Sequence, residues 1–125
     1  MIGFEDVTLS WKGKDYVVPA NKQMGLIRDI EDALEGKNGS VAIDILFRPS
    51  GVPHTRLAAA YGAALRYAGA RVTDEEVYLS IHDDIANQSK AQVAGTLRAM
   101  IVGLLAVISP PMSRKIAGAP SEKKA

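Results

Sequence analysis

The chain contains no cysteine, two histidines and few aromatic side chains. Without cysteine it can form no disulfide, no thiolate nucleophile and no zinc–cysteine site. The two histidines lie far apart in sequence, His54 in a Pro/Gly loop and His82 in an acidic predicted helix. Successive helical residues do not face each other, so His82 and Asp83 are not placed as an acid–base pair. The histidines therefore give no indication of catalysis.

The sequence also lacks the motifs that bind phosphates and metals. It has no glycine-rich phosphate loop and no nucleophile elbow around a serine. An acidic run without Lys or Arg between Val72 and Ser89 has neither the spacing of a calcium-binding EF-hand loop nor a histidine partner. We interpret that run as a solvated helix face, with a partner's basic patch as the alternative. We therefore expect no enzyme activity, no cofactor and no metal site.

Charge and length limit the remaining function classes. The 15 Lys and Arg residues against 14 Asp and Glu give a formal net charge of +1. This balance argues against a broad surface for nucleic acid or for an anionic membrane. The N-terminal residues have no basic region followed by an apolar run, so we expect no signal peptide. A chain of 125 residues is expected to form one domain.

The longest apolar stretch runs from Ala91 to Ile108, and from Ala99 onward it has no polar side chain on any face. A helix that is apolar all round is buried, enters a partner or enters a membrane. A membrane span needs about 20 apolar residues, and Gln92 and Arg98 interrupt this stretch early, so we expect no membrane span. Core and partner remain as alternatives. One stripe at helical spacing contains Val93, Leu97, Met100, Ile101, Leu104 and Ile108.

The first part of the chain predicts a β-hairpin over residues 4–19. Apolar and polar residues alternate from Phe4 to Trp11, a turn follows at Lys12–Asp15, and Tyr16–Val18 forms a second β-prone run. Because two strands alone are only marginally stable, the hairpin must pack on the helices or on another molecule.

Helices are predicted for the rest of the chain. The first runs from an Asn21 cap to about Glu35, with Gly36 as its stop and an inner face that includes Leu26, Ile30 and Leu34. Ser40–Arg48 could be a strand or a short helix, and we favour the helix. The next helix runs from a Thr55 cap to Gly69, with many small residues along it.

A capping box at Thr73 and Glu76 opens the following helix. Its packed face should contain Val77, Tyr78, Ile81 and Ile85. Pro110 and Pro111 end the last helix. The expected fold class is mainly α, with an N-terminal hairpin and a compact bundle of four or five helices in one domain, residues 1–111. A flexible basic tail is expected over residues 112–125.

The order of these elements resembles the tail assembly chaperones of long-tailed phages, prophages and gene transfer agents. The resemblance covers roughly Val7 to Pro111 and depends on pattern and order. It is carried by Trp11-Lys12-Gly13-Lys14-Asp15, Asp32-Ala33-Leu34-Glu35-Gly36, Leu65-Arg66-Tyr67-Ala68-Gly69, Val72-Thr73-Asp74-Glu75-Glu76-Val77 and the apolar last helix.

The resemblance implies a non-enzymatic protein of the host cytoplasm that is absent from the mature virion. Such proteins bind the tape measure protein and self-associate during tail assembly. We expect the partner to bind an uncovered flank of the last helix, around Val102, Leu105 and Ala106. The complete set of expected partner-binding residues is Leu97, Ile101, Val102, Leu104 and Leu105, with Tyr61 and Leu65 as the opposing wall.

Two other function classes remain. A head–tail connector or minor tail subunit would also be helical and oligomeric, but it would stay in the virion. A small DNA-binding regulator is disfavoured by the charge balance and by the acidic start of the helix after Thr73.

Overall fold

The elements of the computed structural model, which describes residues 4–35, 42–47 and 51–115, follow the predicted order. A two-stranded antiparallel sheet precedes a 3₁₀ turn and the helices. The fold is mainly helical with an N-terminal hairpin, which confirms the predicted fold class. The elements are β1 (Val7–Trp11), β2 (Lys14–Val18), the 3₁₀ turn (Ala20–Lys22), α1 (Gln23–Glu35), α2 (Ala42–Leu46), α3 (His54–Tyr67), α4 (Asp74–Asn87) and α5 (Lys90–Ile108).

The hairpin closes with a two-residue turn, shorter than the predicted one. The strand register runs from Val7 opposite Val18 to Trp11 opposite Lys14. Lys12 and Gly13 have φ values of 49° and 79°. Two successive positive φ values are typical of a type I′ turn, whose twist matches that of the strands on either side.

One face of the hairpin packs on the helices. Leu9 and Val18 are buried on that face, whereas Val17 on the opposite face is exposed. A Cβ added at Gly103 of α5 would lie 3.0 Å from Cδ2 of Leu9, so this glycine allows β1 to approach α5 closely. This contact supplies the support that a two-stranded sheet needs.

The first two helices agree with the predictions except at the start of α1. Asn21 lies in the 3₁₀ turn instead of capping α1, which begins at Gln23. The predicted inner face of α1 is confirmed, since Leu26, Ile30 and Leu34 are fully buried. The stretch predicted as a short helix is helical over Ala42–Leu46. The predicted stop at Gly36 lies outside the described residues.

Helix α3 begins earlier than predicted. Thr55 is not its cap, because the helix starts at His54 directly after Pro53, and no side chain caps it. Pro53 has φ −53° and ψ 133°, so the extended backbone ends at the proline and the helix follows at once. The predicted end is confirmed, since Gly69 follows the helix with a φ of +96°.

Small residues let α3 pack closely against its neighbours. A Cβ added at Gly62 would lie 2.6 Å from Oδ1 of Asp74 and 3.6 Å from its Cα, so α4 begins directly against α3. Ala58, Ala60 and Ala64 of the same helix are buried in the core. The thin helix predicted from the alanine-rich sequence is therefore the central element to which α1 and α4 pack.

Helix α4 has the predicted capping box, in which Thr73 accepts from the Glu76 N–H and Glu76 accepts from the Thr73 N–H. Val77 and Ile81 are buried as predicted, but Ile85 is 40% exposed. The prediction for Ile85 is wrong because the last turn of α4 extends beyond the core, and residues 85–92 are all exposed.

Helix α5 begins with a capping box that the sequence did not predict. The Gln92 N–H donates to the Ser89 side chain, and the Ser89 N–H donates to the Gln92 side chain. The helix ends at Ile108, before the two prolines, as predicted. Residues 110–115 are again helical, so the segment expected to be flexible from Met112 begins within a helix. Residues 116–125 lie outside the described part of the chain.

The capping box of α4 gives a direct test of this fold. Thr73→Ala removes the side-chain acceptor of the Glu76 N–H and should lower the free energy of unfolding by about 1 kcal/mol. Thr55→Ala is the matched control, because Thr55 is exposed and caps nothing; its effect should stay within about 0.5 kcal/mol. Urea denaturation followed by circular dichroism measures both. Equal losses in the two variants would contradict the assigned helix starts.

Candidate functional site

Helix α5 is apolar, and its N-terminal half is largely uncovered. It has 19 residues and a mean hydropathy of 1.8, yet only 22% of its most apolar 18-residue window is buried. None of residues 90–99 is fully buried; the buried residues, from Met100 to Val107, lie in the C-terminal half. Among the described helices, α5 alone has a length and composition that would allow it to cross a membrane, a finding that concerns length and composition only.

A groove of about 540 Å³ lies between β1, α4 and α5, and we call it the β1–α5 groove. Its lining is mostly apolar, and within the described part of the chain Lys12 and Asp84 are the only charged residues in it. Helix α5 contributes mainly small side chains to it, such as Ala99, Gly103 and Ala106. The lining residues are Thr8, Leu9, Ser10, Trp11, Lys12, Tyr61, Ser80, Ile81, Asp84, Thr96, Ala99, Met100, Val102, Gly103 and Ala106.

A smaller depression of about 260 Å³ continues the β1–α5 groove along the strand. The two share Thr8 and Ala106 in their linings, and the depression adds Glu5, Asp6 and Arg114 at its far end. The open surface therefore follows the length of β1. An elongated ligand fits this shape better than a compact one.

Tyr61 of α3 joins the helices to the hairpin beside this groove. Its hydroxyl donates a 2.7 Å hydrogen bond to the carbonyl oxygen of Ser10, and the side chain is 4% exposed. Burial raises the pKa of Tyr61 above 10.0. Tyr61 is therefore a structural contact whose ring also lines the groove.

The structure places only some of the predicted partner-binding residues at a surface. Val102 is 38% exposed and lines the β1–α5 groove together with Tyr61. Leu97 and Ile101 are partly buried and lie outside that groove's lining.

Three of the predicted residues lie in the core. Leu65 and Leu104 are 0% exposed and Leu105 is 2% exposed, so none of them can contact a partner in this structure. We expected Leu105 on an uncovered flank with Val102, and this expectation is wrong. Several elements, namely α1, α2, α3, α4 and β1, contact α5, so the C-terminal half of the helix is covered from more than one side.

The structure brings together two residues that the sequence analysis had treated separately. Nδ1 of His54 lies 3.2 Å from Nε2 of His82, and Tyr78 packs on the His82 ring with a centroid distance of 4.5 Å. The pairing joins the first residue of α3 to the middle of α4, and no local sequence pattern could have indicated it. Within the described residues, no group of three or more His, Cys, Asp or Glu side chains could hold a metal ion.

The acidic residues of α4 are largely engaged in local contacts. Asp74 forms a 2.9 Å ion pair with Arg66, and Glu76 belongs to the capping box. Asp83 accepts a hydrogen bond from Asn87 within the same helix. This arrangement agrees with the interpretation of the run as a solvated helix face.

In comparisons with known proteins, no family model, no curated protein and no solved structure matches this chain.

Replacing Tyr61 tests its contact with the hairpin. Tyr61→Phe removes the hydrogen bond to Ser10 and should lower the free energy of unfolding by about 1 kcal/mol at neutral pH. Tyr16→Phe is the control, because Tyr16 is partly exposed and makes no side-chain hydrogen bond within the described residues; its effect should stay within about 0.5 kcal/mol.

The raised pKa of Tyr61 predicts that the difference in stability between the native protein and Tyr61→Phe depends on pH. A raised folded-state pKa stabilises the fold below the unfolded value of 10.0, and this stabilisation is lost as the pH rises from there through the folded value. The stability gap between the native protein and Tyr61→Phe should therefore narrow above pH 10.0. Denaturation curves at neutral and alkaline pH measure it. A gap that widens would contradict the assignment.

Proposed function

We propose that this protein is a non-enzymatic assembly chaperone of the phage tail type. It binds helical segments of the tape measure protein along the β1–α5 groove and self-associates in the host cytoplasm. The observation that carries the proposal is the exposure of α5, whose most apolar window is only 22% buried beside an open groove. An apolar surface left uncovered in a folded domain marks an interaction site.

The shape and lining of the groove suit an amphipathic helix. Such a helix places side chains at i, i+3 or i+4 and i+7 into an apolar groove, and it needs an elongated surface. The β1–α5 groove and the adjoining depression provide this surface along β1. Small side chains at Ala99, Gly103 and Ala106 would let the backbone of a bound helix approach α5 closely.

The charges around the groove favour a protein partner over nucleic acid. Lys12 and Asp84 place one charge of each sign in the lining, and the whole chain has a formal net charge of +1. A nucleic-acid surface would require several cations along one face. The proposal likewise includes no membrane, because the C-terminal half of α5 packs in the core and Gln92 and Arg98 interrupt its exposed half.

A charge placed in the groove tests the proposal. Val102→Asp puts a carboxylate where the apolar face of the partner helix would lie, and binding would remove that carboxylate from water. Val and Asp have similar helix propensities, so α5 should stay folded. We expect the affinity for the tape measure protein to fall by at least about tenfold. Co-expression, co-purification and calorimetric titration of the purified proteins measure this.

The matched control is Met24→Asp. Met24 is 57% exposed on α1 and lies outside the β1–α5 groove, so the same type of change should leave binding intact. Leu105→Asp is unsuitable, because Leu105 is buried and a carboxylate there would unfold the protein. Equal affinity of Val102→Asp and the native protein for the tape measure protein would contradict the proposal. So would recovery of the protein from purified virions, which indicates a connector or minor tail subunit.

A further inference from the structure

We propose that His54 and His82 form a weak binding site for a divalent transition-metal ion, with copper, nickel and zinc as the candidate metals. The inference does not depend on the proposed chaperone function, because the pair lies outside the lining of the β1–α5 groove. The observation that carries it is the 3.2 Å distance between Nδ1 of His54 and Nε2 of His82. At this distance one ring can donate an N–H hydrogen bond to the other, and a metal ion bound to both nitrogens would replace that bond, with each ring in the tautomer that leaves its facing nitrogen unprotonated.

The distance between the two nitrogens fits one shared metal ion. Imidazole nitrogens bind zinc at about 2.0–2.1 Å. Two such bonds to nitrogens 3.2 Å apart enclose an angle of about 100° at the metal, between the values of octahedral and tetrahedral coordination. The rings meet edge to face, with planes inclined by 68° and centroids 5.1 Å apart, so metal binding would require some reorientation of the rings.

The two rings are held by rigid elements. His54 is the first residue of α3 and directly follows Pro53, and His82 lies in the middle of α4. Tyr78, one helical turn before His82, packs on its ring at a centroid distance of 4.5 Å and an angle of 33°. This packing restricts rotation of the His82 side chain, so less conformational entropy is lost when a metal binds.

Solvent reaches His82 of the pair, and the nearby charges include two carboxylates. His82 lines a depression of about 580 Å³ with Glu76 and Asp83, and Lys12 is the only cation among the described residues that line it. A cation can therefore approach through a surface that carries more negative than positive charge. Because the described residues supply only two nitrogen donors, water would fill the remaining coordination positions.

The donor type selects the class of metal. Imidazole suits copper, nickel and zinc, whereas magnesium and calcium prefer oxygen ligands. A metal ion bound to both histidines would connect the start of α3 to α4. Since it binds the folded state, it would raise the temperature of unfolding in proportion to its occupancy.

The test uses the full chain without a polyhistidine tag. Titration with Ni²⁺ in a buffer that does not chelate metals should show one site by calorimetry and should raise the unfolding temperature. His82→Gln and His54→Gln each keep a polar side chain but lose one nitrogen ligand. We expect each variant to lower the Ni²⁺ affinity by more than about tenfold. Loss of a group that only hydrogen-bonds to a metal ligand already costs about 10- to 100-fold, and these variants lose a ligand itself.

Two controls separate this site from other modes of metal binding. Tyr78→Phe keeps the ring that packs on His82 and should leave the Ni²⁺ affinity unchanged. Mg²⁺ in place of Ni²⁺ should produce no shift in the unfolding temperature, because it does not bind imidazole. An absence of Ni²⁺ binding in the native chain would overturn the proposal. Unchanged affinity in His82→Gln, or an equal response to Mg²⁺, would overturn it as well by placing the site on the carboxylates.

Discussion

The contact between the hairpin and the helices, centred on Leu9, is the constraint on which the rest of the structure depends. Leu9 is 1% exposed, and a Cβ at Gly103 would lie 3.0 Å from Leu9 Cδ2 and 3.6 Å from Tyr61 Cε1. The Tyr61 hydroxyl fixes the same strand by its hydrogen bond to Ser10. A two-stranded sheet has too little buried surface to be stable alone. This one is stable because α3 and α5 cover its inner face.

The same contact accounts for the groove. The hairpin is only two strands wide, so it covers one side of α5 and leaves the next side open. Small residues at Ala99, Gly103 and Ala106 deepen that open side. A third strand or a bulky side chain at these positions would fill the space. The surface proposed for partner binding therefore arises from the narrow sheet and from the small residues that let β1 pack closely.

Local chemistry made much of the fold predictable. The capping box at Thr73, the turn around Gly13 and the buried stripe of α1 depend on residues close in sequence, and all three are present. Ser40–Arg48 was ambiguous because it is short, and its central part is helical. The start of α3 was misplaced because Thr55 is a good cap, yet Pro53 already ends the extended backbone.

The candidate sites were harder to predict, because they depend on which elements meet in space. Both Val102 and Leu105 lie outside the apolar stripe of α5, so nothing local distinguishes buried Leu105 from exposed Val102. The pairing of His54 with His82 likewise follows only from the packing of α3 against α4. Ile85 was wrongly predicted to be buried for a similar reason. Helical spacing predicts which face of α4 Ile85 lies on, but it does not predict where along α4 the core ends.

The two halves of α5 differ in how much of their surface the rest of the fold covers. Its C-terminal half supplies Leu104 and Val107 to the core, so this half anchors the helix. Its N-terminal half extends beyond the core and is held in helical form by the Ser89–Gln92 capping box. Short helices without tertiary contacts are only marginally stable in water. The cap, and the continuation of the helix into the packed C-terminal half, stabilise this exposed half. This half, which contributes Thr96 and Ala99 to the β1–α5 groove, is therefore helical in the free chain, and under the proposed function this would lower the entropic cost of association.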